Sequence, residues 1–295
     1  MNVWVLAAVV VIAVVLLIRA VRIRTTSRAV ATYAASHRIR ADGIAEGAEP
    51  FTLKGSNGSA LLLLHGSGDS PQTMRYLAEQ LHAAGFTVHA PLLPGHGRSP
   101  EAFAHVRADG YLEAAERGLD VVRREASWIG VVGLSMGGAL AAQLAASAAD
   151  VRALVLLAPY LEPPPLVRWV ARTSRVWGVF VPFVAGRGDG SVQDEIARGE
   201  SRAYGVFSPN AMRALVETAA AGQRALARVT VPTLVVHSRE DIRIPTEIAE
   251  RASATLRAPT ERHWVTGCGH VITVDYCKQA VADLVLDFLG RLAPR

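Results

Sequence analysis

Short apolar runs alternate with amphipathic stretches through most of the chain. Unbroken apolar runs at residues 60–64 and 129–132 predict strands that are buried on both faces. Apolar positions spaced three and four apart, as between residues 74 and 81, predict helices. The predicted strands are residues 50–54, 60–64, 86–90, 129–132, 153–157, 231–237 and 264–266; the main predicted helices are residues 110–125, 139–144, 208–228 and 274–289. This alternation predicts an α/β protein with a doubly wound, mostly parallel sheet.

The N-terminal pattern differs from the rest, because residues 3–18 are all apolar. As a helix this run would be about 24 Å long, against about 30 Å for the apolar core of a bilayer, and Ala20 and Val21 extend it. Four arginines follow within ten residues and no charged side chain precedes the run, whereas a secretory signal carries its positive charge first. We therefore expect a single-pass membrane anchor over residues 1–24. A cleaved signal peptide and a buried core helix are the alternatives.

The charge asymmetry around this span also predicts its orientation. Arginines are retained on the cytoplasmic side, so the catalytic domain is expected in the cytoplasm. Residues 25–49 are rich in Ala, Arg and Gly without a clear period, and they predict a linker, with some helix near residues 27–36.

The alternation stops for about 70 residues between Ala158 and Val231, which is too long for a simple loop. We expect residues 159–230 to form a cap inserted into a core of residues 50–158 and 231–295. Its aromatic residues are expected to pack the cap onto the body. Lining an acyl-binding pocket and touching a membrane are the alternatives for some of them, namely Trp169, Trp177, Phe180 and Phe183.

The most informative motif is Gly133-Leu134-Ser135-Met136-Gly137, which lies between a predicted strand and a predicted helix. In that setting G-x-S-x-G is typical of a nucleophile elbow, where a tight turn presents the serine hydroxyl and needs small residues on either side. An ordinary glycine-rich turn is the alternative. The candidate nucleophile is Ser135, and the Met136 N–H is a candidate oxyanion donor because it follows the nucleophile.

A serine nucleophile needs a base and a group that orients the base, in the chain order Ser, Asp, His for this topology. Asp241 follows the strand that ends at His237, and His270 follows the last predicted strand. We predict that His270 accepts the Ser135 proton and that Asp241 fixes the His270 tautomer. Two other acids, Glu240 and more weakly Glu162, are alternatives to Asp241.

The loop after residues 60–64 predicts the second oxyanion donor, for which we choose the Ser67 N–H. Gly66 and Gly68 on either side permit an unusual turn there. His65 and His96 are expected to hold this loop and its neighbour. His96 is a rival base by residue type, but it precedes the nucleophile in the chain.

Composition excludes some functions. The net charge is +5 over 295 residues, but the arginines are scattered, so no basic face for nucleic acid is predicted. The two cysteines, Cys268 and Cys277, could form one disulfide, but free buried thiols are the expectation. Their spacing matches no metal site.

Four motifs, residues 61–66, 90–97, 133–138 and 269–275, resemble the bacterial carboxylesterase and monoacylglycerol lipase group of the α/β-hydrolase superfamily. The resemblance covers roughly residues 50–292. It implies a cofactor-free serine hydrolase of acyl esters and supports the roles given to Ser135, Asp241, His270, Ser67 and Met136. Carboxylesterases of this group tend to have a bulky apolar residue where this chain has Ser67.

The sequence thus predicts a membrane-anchored esterase or lipase that acts on monoacylglycerols or other medium-chain acyl esters. The same three residues would also serve a thioesterase, an acyltransferase or a carbon–carbon bond hydrolase. A non-catalytic scaffold would predict a broken triad. Haloalkane dehalogenases and epoxide hydrolases are disfavoured, since they need a carboxylate where Ser135 stands.

Overall fold

A seven-stranded sheet organises the computed structural model, which describes residues 2–186 and 191–294. The strand order is β1-β3-β2-β4-β5-β8-β9, and only β1 runs antiparallel to its neighbour. The strands are β1 Phe51–Leu53, β2 Ser59–Leu64, β3 Thr87–Ala90, β4 Trp128–Leu134, β5 Val151–Leu157, β8 Thr233–Ser238 and β9 Thr260–Val265, with β6 Val184–Ala185 and β7 Val206–Phe207 forming a separate ribbon. The predicted doubly wound, mostly parallel sheet is confirmed.

Helices pack on both faces of this sheet. The helices of the described residues are α1 Val3–Ser36, α2 Arg75–Ala83, α3 Pro100–Ala104, α4 Ala108–Arg123, α5 Met136–Ser147, α6 Pro165–Trp177, α7 Glu195–Gly199, α8 Pro209–Leu226, α9 Thr246–Thr255 and α10 Lys278–Leu292, and a short 3-10 helix, Pro71–Met74, precedes α2. Most of α1 and the outer side of α6 are exposed and do not touch the sheet.

The alternating side chains of β2 show why this sheet needs helices on both faces. All six residues of β2 are buried. Leu62 and Leu64 join the apolar core on one face, and Leu61 and Leu63 join the core on the other. Successive side chains of a strand point to opposite faces, so an unbroken apolar run fills two cores at once.

The N-terminal helix extends further than the predicted anchor. α1 is one continuous helix of 34 residues, and within the described residues it alone is long and apolar enough to cross a membrane. Its last turns pack on the body, because Tyr33 is buried in the same core as Ala45 and Ala48. Residues 25–49, predicted as a linker, therefore continue the helix and then lie against the domain.

The predicted cap region, residues 159–230, contains α6, α7, the β6–β7 ribbon and α8. α8 packs on α5 so closely that a Cβ at Gly222 would lie 2.6 Å from Ala139 Cα. α6 packs in turn on α8, where Arg213 Nη1 donates a 3.2 Å hydrogen bond to Ser174 Oγ. Thus α8 forms part of the helical layer of the body, and α6 lies outside it.

Candidate active site

Ser135 lies at the turn between β4 and α5 with φ 55° and ψ −117°. This backbone conformation is strained for any residue other than glycine. The surroundings leave no space for side chains on either side of the turn. A Cβ at Gly133 would lie 2.2 Å from Gly137 O, and one at Gly137 would lie 2.1 Å from Leu64 O. The two glycines of the motif are therefore required by close backbone packing, as the sequence predicts.

The structure brings Ser135, His270 and Asp241 together. His270 Nε2 lies 2.9 Å from Ser135 Oγ, and His270 Nδ1 lies 2.7 Å from Asp241 Oδ2. The His270 side chain is 12% exposed and the Asp241 side chain is fully buried. The imidazole thus connects a hydroxyl near the surface with a buried carboxyl group, and one ring nitrogen faces each.

The surroundings of Asp241 favour its ionised form. Burial alone would raise the pKa of Asp241, but the charge of His270 and the hydrogen bonds from His270 and the Ile244 N–H hold it below its ordinary value. The Asp241 Oδ1 atom accepts from the backbone N–H groups of Arg243, at 2.7 Å, and Ile244, at 3.0 Å. These bonds aim Oδ2 at His270.

The two alternative acids contact other groups. Glu240 accepts a hydrogen bond from the Ser238 hydroxyl, and Glu162 pairs with Arg251 at 2.6 Å. Of Asp241, Glu240 and Glu162, the carboxyl group of Asp241 is the one that contacts His270 in the structure.

His65 and His96 hold the loop after β2. His96 Nε2 accepts a 2.9 Å hydrogen bond from the Gly68 N–H, so its Nδ1 carries the proton and donates to Pro94 O. His65 Nε2 accepts from the Leu93 N–H at 3.1 Å, and its Nδ1 donates to Gly66 O. Burial lowers the pKa of His96 to about 4 and that of His65 well below its usual value, so both rings are neutral. Both residues have the structural role that the sequence predicts.

This arrangement leaves two backbone donors beside Ser135. Within the described ranges, neither the Ser67 N–H nor the Met136 N–H has a protein acceptor. A Cβ at Gly66 would lie 3.9 Å from Ser135 Oγ, so the loop runs directly past the serine. The Ser67 hydroxyl is buried and also lacks a protein partner among the described residues.

Two features fix the loop that carries His270. Cys268 and Cys277 form a disulfide with a Cα–Cα distance of 5.7 Å, so the expectation of free thiols is wrong. Inside this loop the buried carboxylate of Asp275 accepts four backbone N–H groups: Oδ2 from Gly269 (2.7 Å) and Gln193 (2.8 Å), and Oδ1 from Asp194 (2.8 Å) and Tyr276 (2.9 Å). Asp275 therefore connects the residue before His270 to the segment before α7.

Sequence reasoning missed the contributions of three polar residues near the site. The motif at residues 269–275 includes Asp275, but the residue pattern does not indicate the four backbone N–H groups that its carboxylate accepts. His237 Nε2 lies 3.5 Å from Asp241 Oδ2, and burial lowers the pKa of His237. Asp69 directly follows Gly68 in the loop after β2. Burial raises its pKa to about 7, although the hydrogen bond from the Ser70 N–H and the charge of His270 lower it in part. The signal for Asp69 was an acidic residue directly after Gly68 in an otherwise small-residue loop.

The sheet order, the turn at Ser135 and the contacts around His270 define a serine hydrolase of the α/β-hydrolase fold. The chain belongs to the family described as serine aminopeptidase, S33, whose model matches residues 55–276.

Several relatives share most of this chain. It is 27% identical to a carboxylesterase of Bacillus subtilis (strain 168) over 83% of this chain and 97% of that protein. It is 28% identical to a thermostable monoacylglycerol lipase of Bacillus sp. (strain H-257) over 85% of this chain and 97% of that protein. The protein is a carboxylesterase/lipase-type hydrolase, as the sequence predicts.

Solved structures share this fold. A structure from work on two metagenome-derived lipolytic enzymes superposes with a TM-score of 0.77 at 28% identity, over 83% of this chain and 98% of that one. The monoacylglycerol lipase of Paleococcus ferrophilus superposes with a TM-score of 0.71 over 82% of this chain and 98% of that one, and its 18% identity supports the fold alone.

Proposed function

We propose that the protein hydrolyses acyl esters through an acyl-enzyme on Ser135. The observation that carries this proposal is the position of His270, within hydrogen-bond distance of both Ser135 Oγ and Asp241 Oδ2. His270 accepts the hydroxyl proton as Ser135 attacks the acyl carbon, and it then protonates the departing alcohol. Asp241 stabilises the imidazolium that forms in between. A water molecule, activated by the same imidazole, releases the acid and restores the serine.

The negative oxygen of the tetrahedral intermediate is stabilised by the N–H groups of Ser67 and Met136. Their lack of protein acceptors among the described residues supports this role. The Gly68 N–H is committed to His96 and is therefore not available to this oxygen. The Met136 N–H also lies at the first turn of α5, where the helix dipole favours negative charge.

The substrates we propose are monoacylglycerol-like or other medium-chain lipid esters. The relatives named as a carboxylesterase and a monoacylglycerol lipase support this class. The apolar N-terminal helix supports it as well, because an anchored enzyme meets its substrate in the bilayer. A thioesterase, an acyltransferase or a carbon–carbon bond hydrolase on the same three residues is the alternative.

We also propose that α1 is retained as a single-pass anchor. The arginines on its domain side support a cytoplasmic catalytic domain. The disulfide supports the opposite side, because such bonds persist mainly in oxidising compartments. Labelling cells with a membrane-impermeant maleimide at an introduced Ser147→Cys, an exposed position, decides between them. Labelling of intact cells would exclude the cytoplasmic placement.

The test of the chemistry uses the full chain in detergent micelles, because the end of α1 packs on the body. Hydrolysis of p-nitrophenyl esters from two to sixteen carbons would be compared in the native protein, Ser135→Ala and the exposed control Ser147→Ala. We expect an initial burst and steady turnover in the native and control proteins, both lost in Ser135→Ala. The preferred chain length would then be checked with monoacylglycerols.

Two outcomes would contradict the proposal. Equal background rates in all three proteins would exclude a general esterase. Faster cleavage of acyl thioesters or of aminoacyl p-nitroanilides than of esters would move the activity to another bond, and the aminoacyl substrates are included because of the family description.

A further inference from the structure

An apolar stripe runs along the outer side of α6 and is left uncovered. Its four members are 69%, 63%, 70% and 50% exposed: Leu166, Trp169, Val176 and Phe180. They are spaced three, seven and four residues apart, so they share one side of the helix and of the turn that follows it. The opposite side packs inward, where Ala171 and Ser174 are buried. Exposed apolar side chains in such a contiguous row are typical of an interaction surface.

Positive charge borders this stripe. Arg168, Arg172 and Arg175 are exposed and are spaced four and three residues apart, on the neighbouring side of α6. The helix contains no acidic residue. A helix with an apolar side, a flanking row of arginines and a buried third side is suited to lie in the headgroup region of an anionic bilayer.

The position of α6 relative to α1 supports that occupant. The Arg22 guanidinium donates hydrogen bonds to the carbonyl groups of Gly178 and Val179, directly after α6 ends. Arg22 lies four residues beyond Ile18, the end of the apolar run, which is about 6 Å along a helix. The end of α6 is therefore attached at the level where the proposed span leaves the apolar core. Val179 and Phe180 are exposed at the same level.

We propose that α6 docks its apolar stripe into the surface of an anionic lipid bilayer, with Arg168, Arg172 and Arg175 contacting lipid phosphates. This docking rests on the anchor in the proposed function, and it adds a second contact that turns the cap region toward the membrane. Because α1 already retains the protein, α6 sets the orientation of the domain. A second copy of the chain is the competing occupant, and the test separates the two.

The experiment places an environment-sensitive bimane dye on the exposed Val176→Cys position of the full chain. The protein is reconstituted into vesicles of phosphatidylcholine with and without phosphatidylglycerol, and a lipid carrying a shallow nitroxide quenches any dye in the headgroup region. The matched control carries the dye at Ser147→Cys, which is exposed at the end of α5. We expect quenching at position 176 that increases with phosphatidylglycerol, and background quenching at position 147.

A charge-reversal variant tests the arginines. In R168E/R172E/R175E we expect the quenching at position 176 to fall to the level of the control position. Hydrolysis of a vesicle-borne monoacyl ester is expected to fall by at least about tenfold, because all three arginines lose their attraction to the anionic lipid and α6 no longer orients the domain. Hydrolysis of soluble p-nitrophenyl acetate is expected to stay unchanged. The reversal R117E/R124E/R257E, at exposed arginines outside α1 and α6, is expected to leave all three readouts unchanged.

Three results would overturn the docking proposal. They are equal quenching at positions 176 and 147, unchanged quenching in the α6 variant, and dye burial in detergent that rises with protein concentration, which would indicate a second copy. Quenching does not depend on turnover, so a protein that docks but cleaves no ester refutes the proposed function and leaves the docking intact.

Discussion

The Asp275 carboxylate offers a sharp test of how the His270 loop is held. It accepts four backbone N–H groups, and the bond from Gly269 is the most buried of them. In Asp275→Asn the amide oxygen keeps two of these donors, and the amide nitrogen faces the other two without accepting from either. Keeping the buried Gly269 bond is favoured, which leaves the Asp194 and Tyr276 donors unpaired.

An unpaired buried donor costs about 1–3 kcal/mol. Both of these donors lie at the part-buried edge of the cluster, where water replaces some of the loss. We therefore expect Asp275→Asn to lower the free energy of unfolding by about 2–4 kcal/mol, with a modest effect on kcat because Gly269 stays bonded. In Asp275→Ala the Gly269 N–H loses its acceptor as well. The His270 ring then loses its fixed position, and kcat should fall about a hundredfold, as for a misplacement near 1 Å.

Both quantities are measurable in detergent micelles. Urea unfolding followed by tryptophan fluorescence gives the free energy, and single-turnover ester hydrolysis gives the chemical step. The control is Asp283→Asn, an exposed position on α10 that should change stability by less than about 0.5 kcal/mol. The reasoning would be refuted if Asp275→Ala matched this control in stability, or if Asp275→Asn slowed turnover more than Asp275→Ala.

Three further predictions follow from contacts near the site. Burial raises the pKa of Asp69 to about 7, so this carboxyl becomes charged near His270 as the pH rises. Without that negative charge, Asp69→Asn should move the acid limb of the kcat/KM profile to lower pH. Because a buried charge destabilises the folded state, Asp69→Asn should also stabilise the fold more at pH 8, where the native carboxyl is charged, than at pH 5. Gly137→Ala should cost about 3 kcal/mol in urea unfolding, because the new methyl group meets backbone oxygen. Reducing the Cys268–Cys277 bond, which closes a short loop, should cost about 3 kcal/mol in the same assay.

Each of these has its control. A pH profile of Asp69→Asn that overlays the native one would show that the carboxyl carries no charge near His270. For Gly137 the comparison is Gly290→Ala, where an added Cβ meets no atom within 4 Å and no loss is expected. For the disulfide, the double variant with both cysteines changed to serine should be insensitive to reductant; a further loss would locate the effect of reductant elsewhere.

The sheet was predictable because its central strands are short, unbroken apolar runs in the sequence. A run such as Ala60 to Leu64 has apolar side chains at every position and is only five residues long, which favours a strand covered on both faces over a helix. The positions of Asp241 and His270 were predictable for a related reason. Loops that leave the same edge of a parallel sheet converge, so residues far apart in sequence meet there.

The features that escaped prediction depend on distances between loops, which residue patterns do not encode. Two cysteines nine residues apart are compatible with a bond or with free thiols until the chain path between them is known. The four donors that meet at Asp275 come from segments about 80 residues apart. The packing of residues 25–49 was also hidden, because a few small buried residues such as Ala45 and Ala48 create no periodic signal.

The unbroken length of α1 has a mechanical consequence. Its 34 residues form a helix about 50 Å long, and its C-terminal end is fixed to the domain by the buried side chain of Tyr33. A flexible tether would let the catalytic domain tumble and sample every height above the lipid. In the anchored state that we propose, this stiff helix would instead fix the height and tilt of Ser135 above the lipid, so the enzyme would reach its esters by lateral diffusion in two dimensions.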